Sequence, residues 1–535
     1  MCGIAVAIDW DGAEAVVCTL IGGIGHRGDV TDPLVSPRPN TAMATRRLRI
    51  VDQSRAVQPQ ASFDGRLLVS LNGEIYNHAE LRRELEAEGI TFRTASDAEV
   101  LASGLRHWGR RLLRRINGMY AFVSLDVETG EFLAARDPMG VKPLYLMQAG
   151  DGFLFCSEIR PLLAAVEAED VLLLPPGHLL TRTEIVAFES RIGEAAKTIV
   201  SHDPKTLDRL LAAAVEARLP PGLPVATTFS GGIDSTLVTH YARQLRPATP
   251  GYFLGDATAP DYEYAARYAD MTGLDLRRVA FDEDGGDPLA RLGEVVSTLE
   301  SFEPGEVRNG ICGYLLARRL HADGYRVVLT GEGADELFAG YAPLALAFAD
   351  GDDAGAFTRD QTIGMMHRTC LQRLDRTSMR FEVEAREPFL DPAVIAYALT
   401  LHGNELVDRV GGALRGKLPL RELWALYPDH LPPAIRDRRK TAMNEGTGFD
   451  QSPTRSPWIA LAEETISDAA FADGQRRYAA FDLRSKEELL YLEQLAESLD
   501  VWRVPHLRAR TRLIFPALKN VSHAAADLDD YLVGA

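Results

Sequence analysis

Val225-Ala226-Thr227-Thr228-Phe229-Ser230-Gly231-Gly232-Ile233-Asp234-Ser235 is the stretch that decides the fold. An apolar, β-branched run breaks at a Ser-Gly-Gly turn and a helical pattern opens behind it over residues 235–243, which predicts strand, loop and helix. Such a loop presents backbone N–H groups and hydroxyls beside a helix N-terminus, where unpaired donors and the helix dipole favour an anion, so phosphate is the expected guest. It is not a Walker A loop, which ends in Gly-Lys-Ser/Thr; no lysine occurs between Lys205 and Lys417. Asp234 stands at the helix start instead. A carboxylate beside phosphates calls for a divalent cation between them.

The surrounding chain repeats the pattern. A helix over 205–219 leads into the Val225 run; strands at 251–254, 276–281 and 326–329 then alternate with helices at 261–271, 289–300 and 311–322. Alternation of this kind predicts an α/β unit, a parallel sheet flanked by helices with its ligand at the carboxyl ends of the strands. The last strand runs into Thr330-Gly331-Glu332-Gly333-Ala334-Asp335, where glycines on both sides of an acid let backbone and carboxylate approach a ligand closely.

The N-terminal third reads differently. Short strands at 4–9, 67–72, 120–126, 131–136, 144–148 and 153–156 are divided by turns, with helices at 79–89 and 98–108. Hairpins with segregated helices predict a layered α+β unit of largely antiparallel sheets. The pattern loosens over 184–205, which puts a boundary near residue 200 and divides the chain into 1–200 and 201–535.

A chain of 535 residues is too long for one core. Its 46% hydrophobic and 25% charged content is that of an ordinary globular protein. The net charge of −18 argues against a nucleic-acid partner, because no excess of Lys and Arg is present to displace counterions. Nothing approaches the ~18 consecutive apolar residues of a membrane span. The start lacks a basic, then apolar, leader, so the expectation is a cytoplasmic protein with small-molecule partners. The five cysteines are widely spaced without a C-x-x-C pair, and suggest neither a disulfide framework nor structural zinc.

Chemistry begins at the second residue. Removal of Met1 leaves Cys2 as the N-terminus, where one residue supplies a thiol nucleophile and an α-amino base of pKa about 8. Taken alone, a cysteine at that position is usually incidental.

Six motifs in order change that reading. Cys2-Gly3-Ile4, Gly25-His26-Arg27-Gly28, Arg47-Leu48-Arg49-Ile50-Val51-Asp52, Asn72-Gly73-Glu74-Ile75-Tyr76-Asn77-His78, Ser96-Asp97 and Arg136-Asp137-Pro138-Met139-Gly140-Val141-Lys142-Pro143-Leu144-Tyr145 together resemble the glutaminase domain of class II glutamine amidotransferases, an N-terminal-nucleophile fold. The resemblance implies that Cys2 attacks the glutamine amide and that Asn72 with the Gly73 N–H forms the oxyanion hole. It implies that Arg47 holds the α-carboxylate, Glu74 and Asp97 the amino end, and that Ile50 and Val51 complete the glutamine site. Asp29-Val30 stands where that family usually has Pro-Asp.

The second half carries its own likeness. Ser-Gly-Gly-Ile-Asp-Ser resembles the pyrophosphate loop of ATP pyrophosphatases, and with 330–341, Glu384-Ala385-Arg386-Glu387-Pro388-Phe389-Leu390-Asp391 and Arg438-Arg439-Lys440 it is similar to the synthetase domain of the glutamine-hydrolysing asparagine synthetases and their relatives. By that resemblance Asp234 and Asp335 hold Mg²⁺, Ser230, Gly231, Gly232 and Ser235 cradle the pyrophosphate of ATP, and Thr228, Leu254, Thr330 and Gly331 receive the nucleotide. Glu332 is implied in adenylate formation and its capture by ammonia, and Lys440 in neutralising charge on the phosphates. A homodimer is the assembly the resemblance allows.

The acceptor segment departs from the asparagine-forming pattern. Glu300-Ser301-Phe302-Glu303-Pro304-Gly305-Glu306-Val307-Arg308 keeps Arg308, suited to an acceptor carboxylate, but has Gly305 and Glu306 where hydroxyl residues are usual and Glu303 for a shorter acid. The function implied is a glutamine-dependent, ATP-consuming amide ligase with aspartate as default acceptor. The alternatives are a tailoring amidotransferase acting on another carboxylate and a non-catalytic binding protein on the same scaffold. Intact Cys2, Asp234, Glu332, Asp335 and Lys440 count against the last. An intramolecular β-lactam-forming ligase has no need of Cys2 and Asn72.

Overall fold

Strand Cys2–Ile8 lies inside the first sheet, antiparallel to Thr41–Arg47 on one side and Gly152–Cys156 on the other, with Tyr145–Ala149 and Leu172–Leu173 beyond. This computed structural model describes residues 2–53, 55–167, 169–282, 287–410, 413–438, 441–452, 454–508 and 522–523. A second sheet runs His178–Leu180, Phe132–Arg136, Gly118–Asp126, Leu67–Ile75 and Gln60–Ala61, each antiparallel to the next.

Strand alternation sorts these residues into layers. Ile4, Val6 and Ile8 meet Ala121, Val123, Leu125 and Phe155 between the two sheets. Ala5 and Ala7 face the other way, onto helices Ala13–Gly23 and Ile159–Ala165 through Val17, Leu20 and Leu162. Val69, Leu71, Tyr120 and Phe122 likewise face helices His78–Ala87 and Asp97–Trp108. The result is helix, sheet, sheet, helix, with antiparallel sheets as expected.

The second unit is built on a five-stranded parallel sheet in the order Leu276–Val279, Gly251–Leu254, Val225–Thr228, Val327–Leu329, Glu384–Arg386. The first strand in sequence, Val225–Thr228, therefore has an earlier-joined neighbour on one side and Val327–Leu329 on the other. The order in which strands are added reverses there, and such a switch point opens a crevice at the carboxyl ends. Both motif loops, 229–232 and 330–333, leave the sheet on that side.

One element differs from its sequence expectation. Residues 304–310 already belong to helix Pro304–Ala322, which starts seven residues before the expected 311. Pro304 at its first turn is the reason, since proline has φ set for a helix and no N–H to lose there. Residues 342–365, which carry no motif, form helices Ala342–Asp350 and Asp352–Met365. Among the described residues no helix is long and apolar enough to cross a membrane.

Candidate functional site

Antiparallel register sets Cys2 directly opposite Arg47, at the mouth of the first sheet. The Cys2 backbone N–H donates to Asn72 Oδ1 at 3.3 Å, while Asn72 Nδ2 is buried without a hydrogen-bond partner among the described residues. A buried amide donor left unused costs on the order of 1–3 kcal/mol, which a structure retains where a ligand oxygen will take the bond. Gly73 follows with φ +150°, and a Cβ there would come within 2.1 Å of the Met119 carbonyl, so no side chain fits. Burial pushes the Cys2 thiol up to about 11, opposed by the positive N-terminus and by the Leu48 N–H.

Arg47 has a partner that the sequence did not reveal. Its Nε and Nη2 form a fork onto Asp32 at 2.8 and 3.0 Å, and Nη1 reaches the Gln53 carbonyl at 3.2 Å. Ile50 is buried beside Leu48, Met119 and Met139, with Val51 packed against them. Asp97, first residue of its helix behind the Ser96 cap, accepts from Ile75 N at 3.0 Å and from Ala98 N at 2.9 Å. Glu74 is pushed up to about 8 by burial, with Arg386 opposing and Asp97 and Glu384 adding to the rise. Buried acids grouped in this way favour a cationic guest.

In the second unit the Ser-Gly-Gly loop is tightened by its own hydroxyls: Ser235 Oγ accepts from Ser230 N at 3.2 Å, and Gly232 N donates to Ser230 Oγ at 3.3 Å. Gly231 takes φ +66° with the Ala265 backbone N 2.5 Å from where a Cβ would stand. Thr228 and Leu254 end adjacent parallel strands beside this loop. The 330–333 loop closes from the other side; a Cβ on Gly331 would lie 2.8 Å from the Cβ of Asp234.

That approach brings Asp234 and Asp335 onto one cation. Lys417 Nζ, on a side chain 5% exposed, is 2.6 Å from Asp234 Oδ2 and 2.5 Å from Asp335 Oδ1. The ammonium lies between the two carboxylates. No group of three or more His, Cys, Asp or Glu side chains is arranged for a metal among the described residues. Two converging carboxylates fit Mg²⁺, which is commonly held by one or two acids together with substrate phosphates.

Glu332 binds Arg373 at 3.1 Å, and the same guanidinium binds Glu306 of the acceptor segment at 2.6 Å. Arg308 pairs with Asp450 at 3.0 Å and Glu487 at 3.2 Å. Gly305 has open space where a Cβ would be. Thr330 Oγ1 lies 3.5 Å from the Glu332 N–H. Lys440 lies outside the described residues, but Arg438, two residues before it, donates to the carbonyl of Gly231 at 3.1 Å.

Residues 1–176 match the family model of a glutamine amidotransferase domain, and residues 206–356 and 349–512 match that of asparagine synthase. The chain belongs to the asparagine synthase family. It is similar to a probable glutamine-hydrolysing asparagine synthetase of Schizosaccharomyces pombe, 29% identical over 93% of this chain and 93% of the relative. It is also similar to glutamine-hydrolysing asparagine synthetase 3 of Arabidopsis thaliana, 31% identical over 76% of this chain and 72% of the relative. Among solved structures it is similar to the glutamine phosphoribosylpyrophosphate amidotransferase of B. subtilis, at 19% identity, 52% of this chain, 65% of that chain and a TM-score of 0.31. An N-terminal amidotransferase domain of antiparallel sheets precedes a parallel sheet with helices.

Charged partners of these side chains to which the sequence reading gave no role are Asp32, Arg373, Arg386 and Lys417. Lys417 had one visible signal, as the first lysine after a gap reaching back to Lys205.

Proposed function

We propose that this protein makes an amide from a carboxylic acid, ATP and glutamine, releasing AMP, pyrophosphate and glutamate, with aspartate as acceptor and asparagine as product. The reading divides the chain into a glutaminase unit, 1–200, and a synthetase unit, 201–535. It rests above all on Asn72 Nδ2, a buried donor with no partner among the described residues, on the residue whose Oδ1 holds the Cys2 N–H.

In the first unit, with Met1 removed, the Cys2 α-amino group takes the thiol proton and the sulfur attacks the glutamine amide carbon. Asn72 Nδ2 and the Gly73 N–H receive the charge that develops on the carbonyl oxygen. Arg47 meets the α-carboxylate, Glu74 and Asp97 the α-ammonium, and Ile50 and Val51 line the side. The thioester is then hydrolysed to glutamate, and ammonia passes inward. A partly open pocket of about 20 Å³ between the units, lined by Tyr76, Met119, Arg218 and Glu387, has room for a water-sized molecule.

In the second unit Ser230, Gly231, Gly232 and Ser235 hold the β- and γ-phosphates, and Thr228, Leu254, Thr330 and Gly331 the rest of ATP. Asp234 and Asp335 would hold Mg²⁺, which neutralises phosphate charge when bound. The acceptor carboxylate attacks the α-phosphorus and pyrophosphate leaves, assisted by Lys440. Glu332 takes a proton from ammonia as it attacks the acyl-adenylate and AMP departs. The protein is assigned to the cytoplasm, with a homodimer as the assembly to test by light scattering.

A second reading, an acceptor other than aspartate, is favoured by one observation: Asp450 and Glu487 both bind Arg308, the side chain suited to an acceptor carboxylate. A carboxylate panel scored for AMP and pyrophosphate release with glutamine tests both. Asparagine formed efficiently at sub-millimolar aspartate supports the first reading; preference for another carboxylate supports the second. Release with none sinks the ligase assignment.

A further inference from the structure

Arg386 ends the edge strand of the parallel sheet, and its backbone and side chain reach different sites. Its carbonyl accepts the Thr330 N–H at 3.0 Å, where the chain enters Gly331-Glu332. Its guanidinium crosses into the N-terminal unit: Nη2 donates to Glu74 Oε2 at 2.9 Å, Nε to Glu384 at 2.6 Å and Nη1 to the Arg218 carbonyl at 2.9 Å. The side chain is 2% exposed and lies 5.5 Å from the Tyr76 ring centre.

This arrangement answers a difficulty within the glutamine pocket. Glu74, Asp97 and Glu384 are all buried there. Carboxylates gathered out of water resist ionising together, and a protonated acid is a poor partner for an ammonium. A guanidinium fixed on one oxygen favours the charged form and holds its rotamer, while the other oxygen stays available to the guest. Burial raises Glu74, Arg386 opposes the rise, and Asp97 and Glu384 add to it.

We propose that Arg386 is a positioning residue for glutamine, supplied by the synthetase unit, which holds the Glu74 carboxylate ready for the substrate's α-ammonium. The proposal rests on Glu74 receiving that group, as argued under the function above. Arg386 touches neither glutamine nor the reacting atoms. It makes recognition of the amino end a property of both units together.

Full-length Arg386→Gln, Glu74→Gln, Glu74→Asp and the Arg386→Gln/Glu74→Gln double variant are compared for glutamate release from glutamine and for hydrolysis of glutaramate, which lacks the α-amino group. Arg386→Gln is expected to raise the glutamine KM about tenfold or more, the scale of a lost charge-assisted contact, with kcat within about threefold. The glutaramate KM should stay unchanged, so preference for glutamine collapses. Glu74→Gln should produce the same collapse, with no further loss in the double variant. An unchanged glutamine KM in Arg386→Gln, equal losses with both substrates, or losses that add in full in the double variant would overturn the proposal. If Arg386→Gln does not fold, Glu74→Asp decides: it keeps the acid but withdraws it from Arg386, so retained preference overturns the proposal and lost preference supports it. Glutamine preference surviving Glu74→Gln removes the assumed role of Glu74 itself, a distinct failure.

Discussion

Lys417 Nζ lies 2.6 Å from Asp234 Oδ2, so a lysine already compensates the carboxylate expected to serve a metal. If these acids hold Mg²⁺ as proposed, the ammonium must be displaced or share them with it. Asp234→Asn and Asp335→Asn should each raise the Mg²⁺ concentration needed and cut pyrophosphate release, while glutamine hydrolysis measured alone continues. Normal adenylation at low Mg²⁺ in either variant would remove that residue as a ligand. Lys417→Met should lower the melting temperature in EDTA, since stripping one partner from a buried pair costs about 3–5 kcal/mol. Mg²⁺ with ATP should restore part of the loss.

Cys2→Ala should abolish glutamine-dependent product while ammonia-dependent synthesis persists, because only the first chemistry uses the thiol. A tag that blocks Met1 removal should behave the same way, as the α-amino base is then missing. Equal loss with both nitrogen sources counts against separate sites.

Gly73→Ala tests the backbone half of the proposed oxyanion pocket. A methyl 2.1 Å from the Met119 carbonyl must push the two strands apart. Glutaminase kcat should fall by about 10²-fold, as for loss of one oxyanion donor. Gly305→Ala, which meets nothing within 4 Å, should leave glutaminase kcat unaltered.

Glu74 gives the glutamine pocket a pH dependence. Its folded-state value of about 8 lies above the ordinary range, so the folded protein keeps a proton that the unfolded chain releases at lower pH. Its contribution to stability is therefore present at acid pH and lost as pH rises toward 8. Binding runs the opposite way, because an ammonium guest favours the ionised acid. In Cys2→Ala, glutamine affinity measured by calorimetry should strengthen from pH about 6 to about 8, and Glu74→Gln should flatten the profile.

Arg308→Ala would leave Asp450 and Glu487 without their shared cation, and should destabilise the fold by about 3–5 kcal/mol besides impairing acceptor use. Asp450→Asn is the gentler probe. If Arg308 serves the acceptor, weakening its bond to Asp450 should raise kcat/KM for aspartate relative to a monocarboxylate. An unaltered ratio would make the pairing purely structural.

Much of this architecture was legible because it is periodic. Residues 67–72 and 120–126 alternate as strands, and the Ser-Gly-Gly break in the Val225 run announces the crevice loop. Asn72, which accepts the Cys2 N–H, and Glu74 and Asp97, which lie buried, all occur in short motifs. Sequence did not show what holds those groups. Asp32 on Arg47, Arg373 on Glu332 and Arg386 on Glu74 are pairs separated by 15, 41 and 312 residues, made by side chains that carry no periodic signal. The early start of Pro304–Ala322 was missed for a local reason: Pro304 and Gly305 were read as part of the acceptor segment, whereas proline at a helix's first turn is a beginning.

Helix Cys370–Met379 bears on how such a protein can be divided. Asp375 reaches Arg27 at 2.9 Å, Arg27 Nε donates to the Cys2 carbonyl at 3.2 Å, and Arg373, under one turn away on the same helix, holds Glu332. The strand that begins at the nucleophile is therefore anchored by a residue from the far half of the gene. The two family models can be aligned separately, yet the halves share this contact: a chimera joined near residue 200 keeps the Glu158 partner of Arg27 but takes its Asp375 partner from another lineage. Recombination within this family should succeed where the crossover keeps Arg27 and residues 370–379 from one parent, and fail most often where it separates them.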